Sequence, residues 1–240
     1  EEAGLSCKNI QLSYYTFVSC WTDSEEESIP LWKMYAGKEM HGIRISLDSD
    51  MFLKYHIPSG RFYGVDVYSK NEKSSILPIE KIVTKDYLVV PSFNDSEMFF
   101  KKVLYVDNPF SEMRDVVQIQ DMGNGEGAMK MNLKKIGLYK RKCWAFQKEH
   151  RFTLTILPNI WGDIDINQMP KRIMQAVYDR IPPKLSFFDL EINPELLSKM
   201  KITLSPICSE AEKVIVESIV QKFAPKAIIR ESMLKGLINR

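Results

Sequence analysis

The sequence predicts an α+β fold, a strand-rich mixed sheet with flanking helices and a C-terminal β-α-β unit. Short runs that alternate apolar and polar residues dominate the first hundred positions and are typical of strands. Apolar residues recur at helical spacing in the last third of the chain. Because no repeat and no linker separates two parts, we predict a single domain over 1–240.

The first half of the chain is predicted to form strands around one short helix. The helix begins after Ser28, a suitable N-cap, and has Pro30 in its first turn. In the strand at 42–48, alternation directs Ile43, Ile45 and Leu47 toward a core. Aromatic and β-branched residues predict strands at 13–19, 42–48, 62–69, 86–91 and 102–107.

The middle of the chain is predicted to be less regular. Periodicity fails over 108–132, which contains the turn-rich run DMGNGEG, so we predict a flexible loop there. A short basic helix over 134–142, a strand over 151–157 and an amphipathic helix from Met169 to Ile181 are expected to follow.

The C-terminal part carries the clearest pattern. ITLS at 202–205 and AIIR at 227–230 predict two strands on either side of a helix, which suggests a parallel β-α-β unit. Ser209 and Glu212 have the spacing of a capping box at the start of that helix. Its buried face is predicted to comprise Val216, Ile219, Val220 and Phe223.

Composition excludes several classes of protein. With 33 Lys+Arg against 31 Asp+Glu, the net charge of +2 excludes a strongly basic nucleic-acid wrapper but leaves room for local basic patches. The four cysteines lack CxxC spacing, which argues against a zinc site and favours reduced thiols in a cytoplasm. The three histidines have no partner at metal-ligand spacing, so no metal is expected. Apolar runs are too short to span a bilayer, so we expect no membrane contact.

One candidate site lies where the segment from Cys143 runs into the predicted strand. If residues 146–152 are extended, Gln147, Glu149 and Arg151 project from one face. This row is either a salt-bridged solvent face or a cleft in which Glu149 binds or activates a substrate and Arg151 orients it.

A second candidate site is a group of aromatic and polar residues near the N-terminus. Two of the four tryptophans lie within twelve residues of each other there. The group is either core packing or an aromatic wall against which a flat ring stacks. Its members are Ser19, Trp21, Trp32, Tyr35 and Arg44.

Four blocks of sequence resemble a widespread bacterial domain family of unknown function, whose members read roughly SCFS, MWSHYAD with GICIGFD, and WxYExEYR before a strand. The blocks here are FVSCWTD at 17–23, LWKMYAGKEMHGIRISLD at 31–48, WAFQKEHRF at 144–152 and MKITLSPICSEAEKVIVESI at 200–219. The family's N-terminal part, with an aromatic-basic strand, is not found here. We therefore expect that an N-terminal portion of the protein is missing.

Gln147-Lys148-Glu149 also resembles the QxE motif of ADP-ribosyltransferases, and Ser19 is similar to the serine of their Ser-bearing strand. The resemblance implies NAD as substrate, with Glu149 catalytic and Gln147 positioning the acceptor. A carboxylate there would stabilise the positive charge of an oxocarbenium-like transition state. The implied cofactor-binding residues are Ser19, Trp21, Trp32, Tyr35, Arg44 and Arg151.

The leading hypothesis is therefore a cytoplasmic, ADP-ribosyltransferase-like enzyme, a bacterial toxin or phage-defence effector. Its partners would be a macromolecular acceptor, protein or nucleic acid, and an antitoxin or other partner protein. The alternative is a non-enzymatic ligand-sensing or protein-interaction domain of a bacterial defence system. A magnesium nuclease is a third hypothesis, and it would require a carboxylate pair that the sequence does not reveal.

Overall fold

The structure, a computed structural model, describes residues 10–37, 39–57, 59–62, 65–67, 74–123, 126–159 and 168–238. Its helices and its several sheets confirm the predicted α+β class. The strands are β1 (Thr16–Thr22), β2 (Ile43–Ser46), β3 (Tyr55–His56), β4 (Gly60–Phe62), β5 (Val65–Val67), β6 (Ser74–Ser75), β7 (Tyr87–Val89), β8 (Phe100–Lys102), β9 (Leu104–Val106), β10 (Val117–Gly123), β11 (Glu126–Met131), β12 (Tyr139–Arg141), β13 (Glu149–Pro158), β14 (Lys201–Leu204) and β15 (Ile228–Arg230). The helices are α1 (Ile29–Tyr35), α2 (Ser96–Phe99), α3 (Pro109–Glu112), α4 (Met169–Tyr178), α5 (Pro194–Ser198) and α6 (Glu210–Phe223).

The chain forms two compact units that are interleaved along the sequence. The first unit comprises the described residues up to Asp23 and those of Tyr55–Asp189. The second unit comprises Ser24–Lys54 and the described residues from Leu190 onward. The sequence, which predicts a single domain over 1–240, carries no linker signal at these divisions.

The long strand β13 is the centre of the first unit. It pairs with β1 in antiparallel register from Thr16 opposite Thr155 to Thr22 opposite Glu149. Its other edge pairs with β8, and its last three residues pair with β7. A strand that is covered on both faces also loses the alternation of a half-exposed sheet. Residues 152–158 are accordingly all buried, and the strand predicted over 151–157 is confirmed.

The core of the first unit forms where α4 packs against β13. Tyr15, Leu157, Met169, Ile173 and Val177 make up one buried cluster. The predicted helix is confirmed, although it ends at Tyr178 rather than Ile181. The first predicted strand begins three residues late, because Leu12–Tyr15 form a 3-10 helix that directs Tyr15 into this core.

Two predictions for the middle of the chain are wrong. The range 108–132 contains α3 and an antiparallel hairpin of β10 and β11 instead of a loop without regular structure. The range 134–142 is not a helix, since turns at 133–138 lead into β12, which pairs in parallel with β9. Gly137 has a φ of 73°, which a right-handed helix does not allow. Of the strand predicted at 62–69, residues 63–64 and 68–69 lie outside the described residues, and 65–67 form β5.

A mixed three-stranded sheet organises the second unit. β14 pairs in parallel with β15 and in antiparallel register with β2. The helix α6 lies between β14 and β15 in sequence, which confirms the predicted β-α-β unit. Ser209 and Glu212 form the predicted capping box, and the Ser28 side chain accepts from Leu31 N at the start of α1.

Burial in the second unit differs from the predicted faces. Ile43 and Ile45 are exposed, so the face of β2 that these two side chains share is not fully covered. On α6, Val220 is buried with Ala224, whereas Ile219 and Phe223 are exposed. The buried residues Val220 and Ala224 each follow by one position the residues Ile219 and Phe223 that were predicted to be buried. The buried face is therefore rotated by one residue from the predicted face. In the described part of the chain, no helix is long and apolar enough to cross a bilayer.

Candidate functional site

The structure brings Gln147, Glu149 and Arg151 together, but not along one strand. Gln147 ends a 3-10 helix, Lys142–Gln147, and Lys148 then adopts a left-handed conformation with a φ of 45°. Only Glu149 and Arg151 lie on β13. The prediction that 146–152 is extended is therefore wrong at its first residues, because a tight turn precedes the strand.

One ammonium group links these side chains. Lys140 Nζ donates to Glu149 Oε2 at 2.7 Å and also to Gln147 Oε1. Arg151 Nε donates to Glu149 Oε1 at 2.7 Å. We call Lys140, Gln147, Glu149 and Arg151 the Glu149 cluster. The Glu149 residue is only 4% exposed, so the row is neither a solvent face nor an open cleft.

The electrostatics of the Glu149 cluster favour a permanently ionised carboxylate. Burial by itself raises the pKa of Glu149, since it disfavours the charged form. Hydrogen bonds from Arg151 and Lys140 outweigh that effect and lower the pKa to about 2. A carboxylate in this state does not exchange protons near neutral pH, which disfavours general acid–base catalysis by Glu149 in this conformation.

The cluster is joined to the turns at 133–138. Arg151 Nη1 donates to Gly137 O at 2.8 Å. The buried Lys101, opposite Arg151 on β8, donates from Nζ to Leu133 O and Ile136 O at 2.7 Å each. Burial, with Arg151 adding repulsion, lowers the pKa of Lys101 to about 8. Glu149 thus pairs with two cations, and Lys101, a third cation next to Arg151, is bound by main-chain carbonyl groups.

Sequence reasoning missed four residues in or next to the Glu149 cluster: Lys140, Lys101, Tyr105 and Cys20. Lys140 and Tyr105 lie opposite each other on the parallel strands β12 and β9, and Tyr105 Oη accepts from Glu149 N at 2.8 Å. Cys20 lies opposite Arg151 on β1, where burial and then a hydrogen bond with Glu149 raise its pKa. No local pattern reveals a parallel pairing of two three-residue strands, whereas the basic run that contains Lys140 is visible in the sequence.

Ser19 and Trp21 lie on the opposite face of the sheet from Glu149. The register places them opposite Phe152 and His150, and side chains alternate faces along a strand. Trp21 Nε1 donates to Ser19 Oγ at 2.9 Å. The structure therefore does not bring these two predicted cofactor-binding residues to the Glu149 cluster.

Trp32, Tyr35 and Arg44 belong to the second unit, whereas Glu149 belongs to the first. Trp32 is buried and donates from Nε1 to Glu27 Oε2 at 2.9 Å, as a core residue would. Tyr35, three residues later on α1, is 70% exposed. The Arg44 guanidinium donates to Ser24 O at 2.6 Å and to the next two carbonyls. A pocket that combines this group with Glu149 stays a prediction.

The described residues include no group of three or more His, Cys, Asp or Glu side chains that could hold a metal ion. What lies open next to the Glu149 cluster is aromatic and basic. Residues 141–146 are all exposed, with Trp144 at 38% and Phe146 at 41%. Lys140 Nζ lies 5.2 Å from the centroid of the Trp144 ring. Such a surface can stack flat groups and attract anions.

Comparison with known proteins identifies no relative of this chain. No protein-family model, no curated protein and no solved structure matches it.

Proposed function

We propose that this chain is a non-enzymatic binding domain whose contact surface is the exposed segment that precedes β13. We call Arg141, Lys142, Trp144, Phe146 and Lys148 the aromatic-basic surface. The observation that carries the proposal is the state of Glu149, which is buried and hydrogen-bonded on both oxygens by cations. A buried carboxylate with two ion pairs has a structural role, because both ion pairs would have to break before a substrate could reach it.

The position of the Glu149 cluster supports a structural role for the cluster and a binding role for the aromatic-basic surface. Lys140 lies two residues before the Lys142–Gln147 3-10 helix, and Gln147 is the last residue of that helix. Their shared hydrogen bonds therefore hold both ends of the helix that carries Trp144 and Phe146. A binding surface on a fixed backbone loses less conformational entropy when a ligand is bound.

ADP-ribosyl transfer is the second candidate, and one observation favours it. Gln147 and Glu149 converge on the same ammonium group, as the two ends of a QxE motif would in a common site. NAD would be the substrate and a protein or nucleic acid the acceptor. Catalysis would require Lys140 to move so that Glu149 faces the nicotinamide ribose. A role as a toxin or phage-defence effector, with an antitoxin as partner, belongs to this candidate.

Release of nicotinamide from labelled NAD separates the two candidates. The full chain and its Glu149→Gln variant are incubated with NAD, with and without cell lysate as a source of acceptors. The binding-domain proposal expects both proteins to match the rate of the buffer. Turnover by the wild type that is lost in a folded Glu149→Gln variant, by about 10²-fold or more, would overturn it and favour the transferase.

A cytoplasmic location is part of the same proposal. Cys20, Cys143 and Cys208 are free thiols in the structure, while Cys7 lies outside the described residues. Free thiols persist in reducing compartments. Labelling with a thiol-reactive probe in intact cells, followed by mass spectrometry, would show whether these three cysteines are reduced in vivo.

A further inference from the structure

We propose that the aromatic-basic surface binds single-stranded nucleic acid. This inference rests on the proposed binding function and specifies its partner. Three features support it. They are the positive charge of residues 130–148, the exposure and spacing of the Trp144 and Phe146 rings, and the contact between the Trp144 ring and Lys140 of the Glu149 cluster.

The positive charge of the sequence is concentrated in the stretch that contains this surface, although Lys134, Lys140 and Lys142 pair with carboxylates outside that stretch. Residues 130–148 contain seven Lys or Arg and no Asp or Glu. Since the whole chain has a net charge of +2, the remaining residues carry 2 − 7 = −5. A cationic stretch in an otherwise acidic chain attracts a polyanion to one place and repels it elsewhere.

Several of these cations are available to phosphate groups. In the described part of the chain, neither Arg141 nor Lys148 pairs with a carboxylate. Lys142 pairs with Asp107 at 2.7 Å and Lys134 with Glu97 at 2.5 Å, both on the surface. Exposed pairs contribute little free energy, so a phosphate can replace the carboxylate at small cost.

The two rings form a platform of the kind on which bases stack. The centroids of Trp144 and Phe146 are 6.0 Å apart and the rings are inclined by 37°. Both rings lie among exposed residues, although large apolar side chains in the same unit, such as Phe99 and Phe152, are buried. Stacking of a base on an exposed ring is tolerant of sequence, because every base has a π-face.

The platform is attached to the rigid part of the first unit. Lys140 Nζ lies over the Trp144 ring and at the same time binds Glu149. The ion pair therefore fixes the cation against which the indole packs. The orientation of the platform is set before a ligand arrives, which reduces the entropy lost on binding.

A single strand fits this surface better than a duplex does. Bases in a duplex are stacked on one another and offer their faces only at the ends, whereas a single strand offers them along its length. The major groove of duplex DNA is wide enough to admit an α-helix or a two-stranded β-ribbon, the elements that usually read it. The segment that carries the rings is a 3-10 helix of six residues, Lys142–Gln147.

The test is fluorescence anisotropy of labelled oligonucleotides of about 12 nucleotides, a length within the range that one such domain covers. Single-stranded DNA and RNA are compared with a duplex of the same length. We expect the wild type to bind the single strands at micromolar concentration and the duplex at least about tenfold more weakly. Relative affinity for the DNA and RNA strands then shows which of the two the surface prefers.

Two sets of variants assign the binding to the surface. Trp144→Ala with Phe146→Ala removes the platform and should weaken binding by about tenfold or more, whereas the exposed Phe187→Ala should leave it unchanged.

Arg141→Gln with Lys148→Gln should make the slope of log K against log salt shallower by about 1.4, since each phosphate contact on a single strand contributes about 0.7. Lys184→Gln, also exposed, is the matched control. Melting temperatures within a few degrees of the wild type confirm that each variant is folded.

Three results would overturn the inference. The first is no binding of any single strand below about 100 μM, the weak end of non-specific affinity. The second is binding that the ring and charge variants do not change. The third is ring-dependent binding of vesicles of phosphatidylcholine with phosphatidylserine, or of poly-glutamate, with no preference for oligonucleotides. Because the NAD assay is separate, each of these outcomes leaves the non-enzymatic proposal standing with another partner, whereas Glu149-dependent turnover would remove that proposal itself.

Discussion

At the scale of single residues, Glu149 is the carboxylate on which the first unit depends. Its two oxygens accept from Arg151 and Lys140, and its main-chain N–H donates to Tyr105 Oη. Arg151 in turn donates to Gly137 O, so Glu149 and Arg151 together connect β13 with β12, β9 and the turns at 133–138. Loss of its charge would leave buried cations without a counter-ion.

The first prediction concerns the stability of Glu149→Gln. The substitution keeps the size of the side chain but removes the charge, so the free energy of unfolding should fall by about 3–5 kcal/mol. Urea unfolding followed by circular dichroism measures it. Glu97→Gln, which removes an exposed partner of Lys134, should change stability by less than about 1 kcal/mol. Equal effects of the two changes would show that the Glu149 ion pairs are not structural.

The second prediction is the pH dependence of that stability difference. The pKa of Glu149 is lowered from 4.5 to about 2 in the folded chain. The unfolded state therefore binds the proton first as the pH falls, and the contribution of Glu149 is full above pH 4.5 and lost as the pH approaches 2. The stability gap between wild type and Glu149→Gln should shrink by about 3 kcal/mol over this window. A gap that stays constant from pH 7 to pH 3 would contradict the ion-paired state.

The sequence-based prediction that Gln147, Glu149 and Arg151 lie together rested on a reason that was only half correct. Gln147, Glu149 and Arg151 do converge, but alternation along a strand accounts only for Glu149 and Arg151. Gln147 joins them through the left-handed Lys148, a conformation that sequence does not predict for lysine. The position of Lys140 next to Glu149 could not be predicted from the sequence, because it depends on the long-range pairing of β12 with β9.

At the scale of elements, α6 shows how a helix can be located correctly and oriented wrongly. The capping box fixes where α6 begins, and that signal is local. The buried face depends on what packs against the helix, and adjacent stripes of α6 are both apolar. Val220 and Ala224 lie on the buried stripe, whereas Ile215, Ile219 and Phe223 lie on the exposed one.

The third prediction compares two neighbours on α6. Val220 is 8% exposed, so Val220→Ala should lower the free energy of unfolding by about 2 kcal/mol, the value of two buried methyl groups. Ile219 is 53% exposed, so Ile219→Ala should cost less than about 1 kcal/mol. Each variant replaces a β-branched residue of one helix by alanine, so the gain in helix propensity is similar and each is a control for the other. The reverse order in thermal unfolding would show that Ile219 is the buried residue.

At the scale of the whole molecule, the chain passes between its two compact units after Asp23, after Lys54 and after Asp189. The second unit therefore consists of two stretches that are far apart in sequence. Strand β2 belongs to the first stretch and pairs with β14 of the second. The α+β class could be predicted from local periodicity. The division into two units could not, because it depends on pairing between strands that are far apart in the sequence.

The fourth prediction tests this interleaving by truncation. A chain that ends at Asp189 lacks β14, the partner of β2, so residues 24–54 should lose their sheet. Limited proteolysis with mass spectrometry should then find early cuts within 24–54, while β13 in the first unit stays protected. The full chain, cut under the same conditions, is the control. Protection of 24–54 in the truncated chain would show that this stretch folds without β14.

The interleaving also bears on how the protein is made. A ribosome that has released Lys54 must add roughly 136 more residues before Leu190 emerges, which takes about 7–27 s at the usual rates of synthesis. During that interval β2 cannot pair with β14, because β14 has not yet been synthesised. An unpaired apolar strand on a nascent chain is a substrate for chaperones that hold unfolded segments. The yield of folded protein in a cell should therefore depend on such chaperones and on the time taken to synthesise the residues between Lys54 and Leu190.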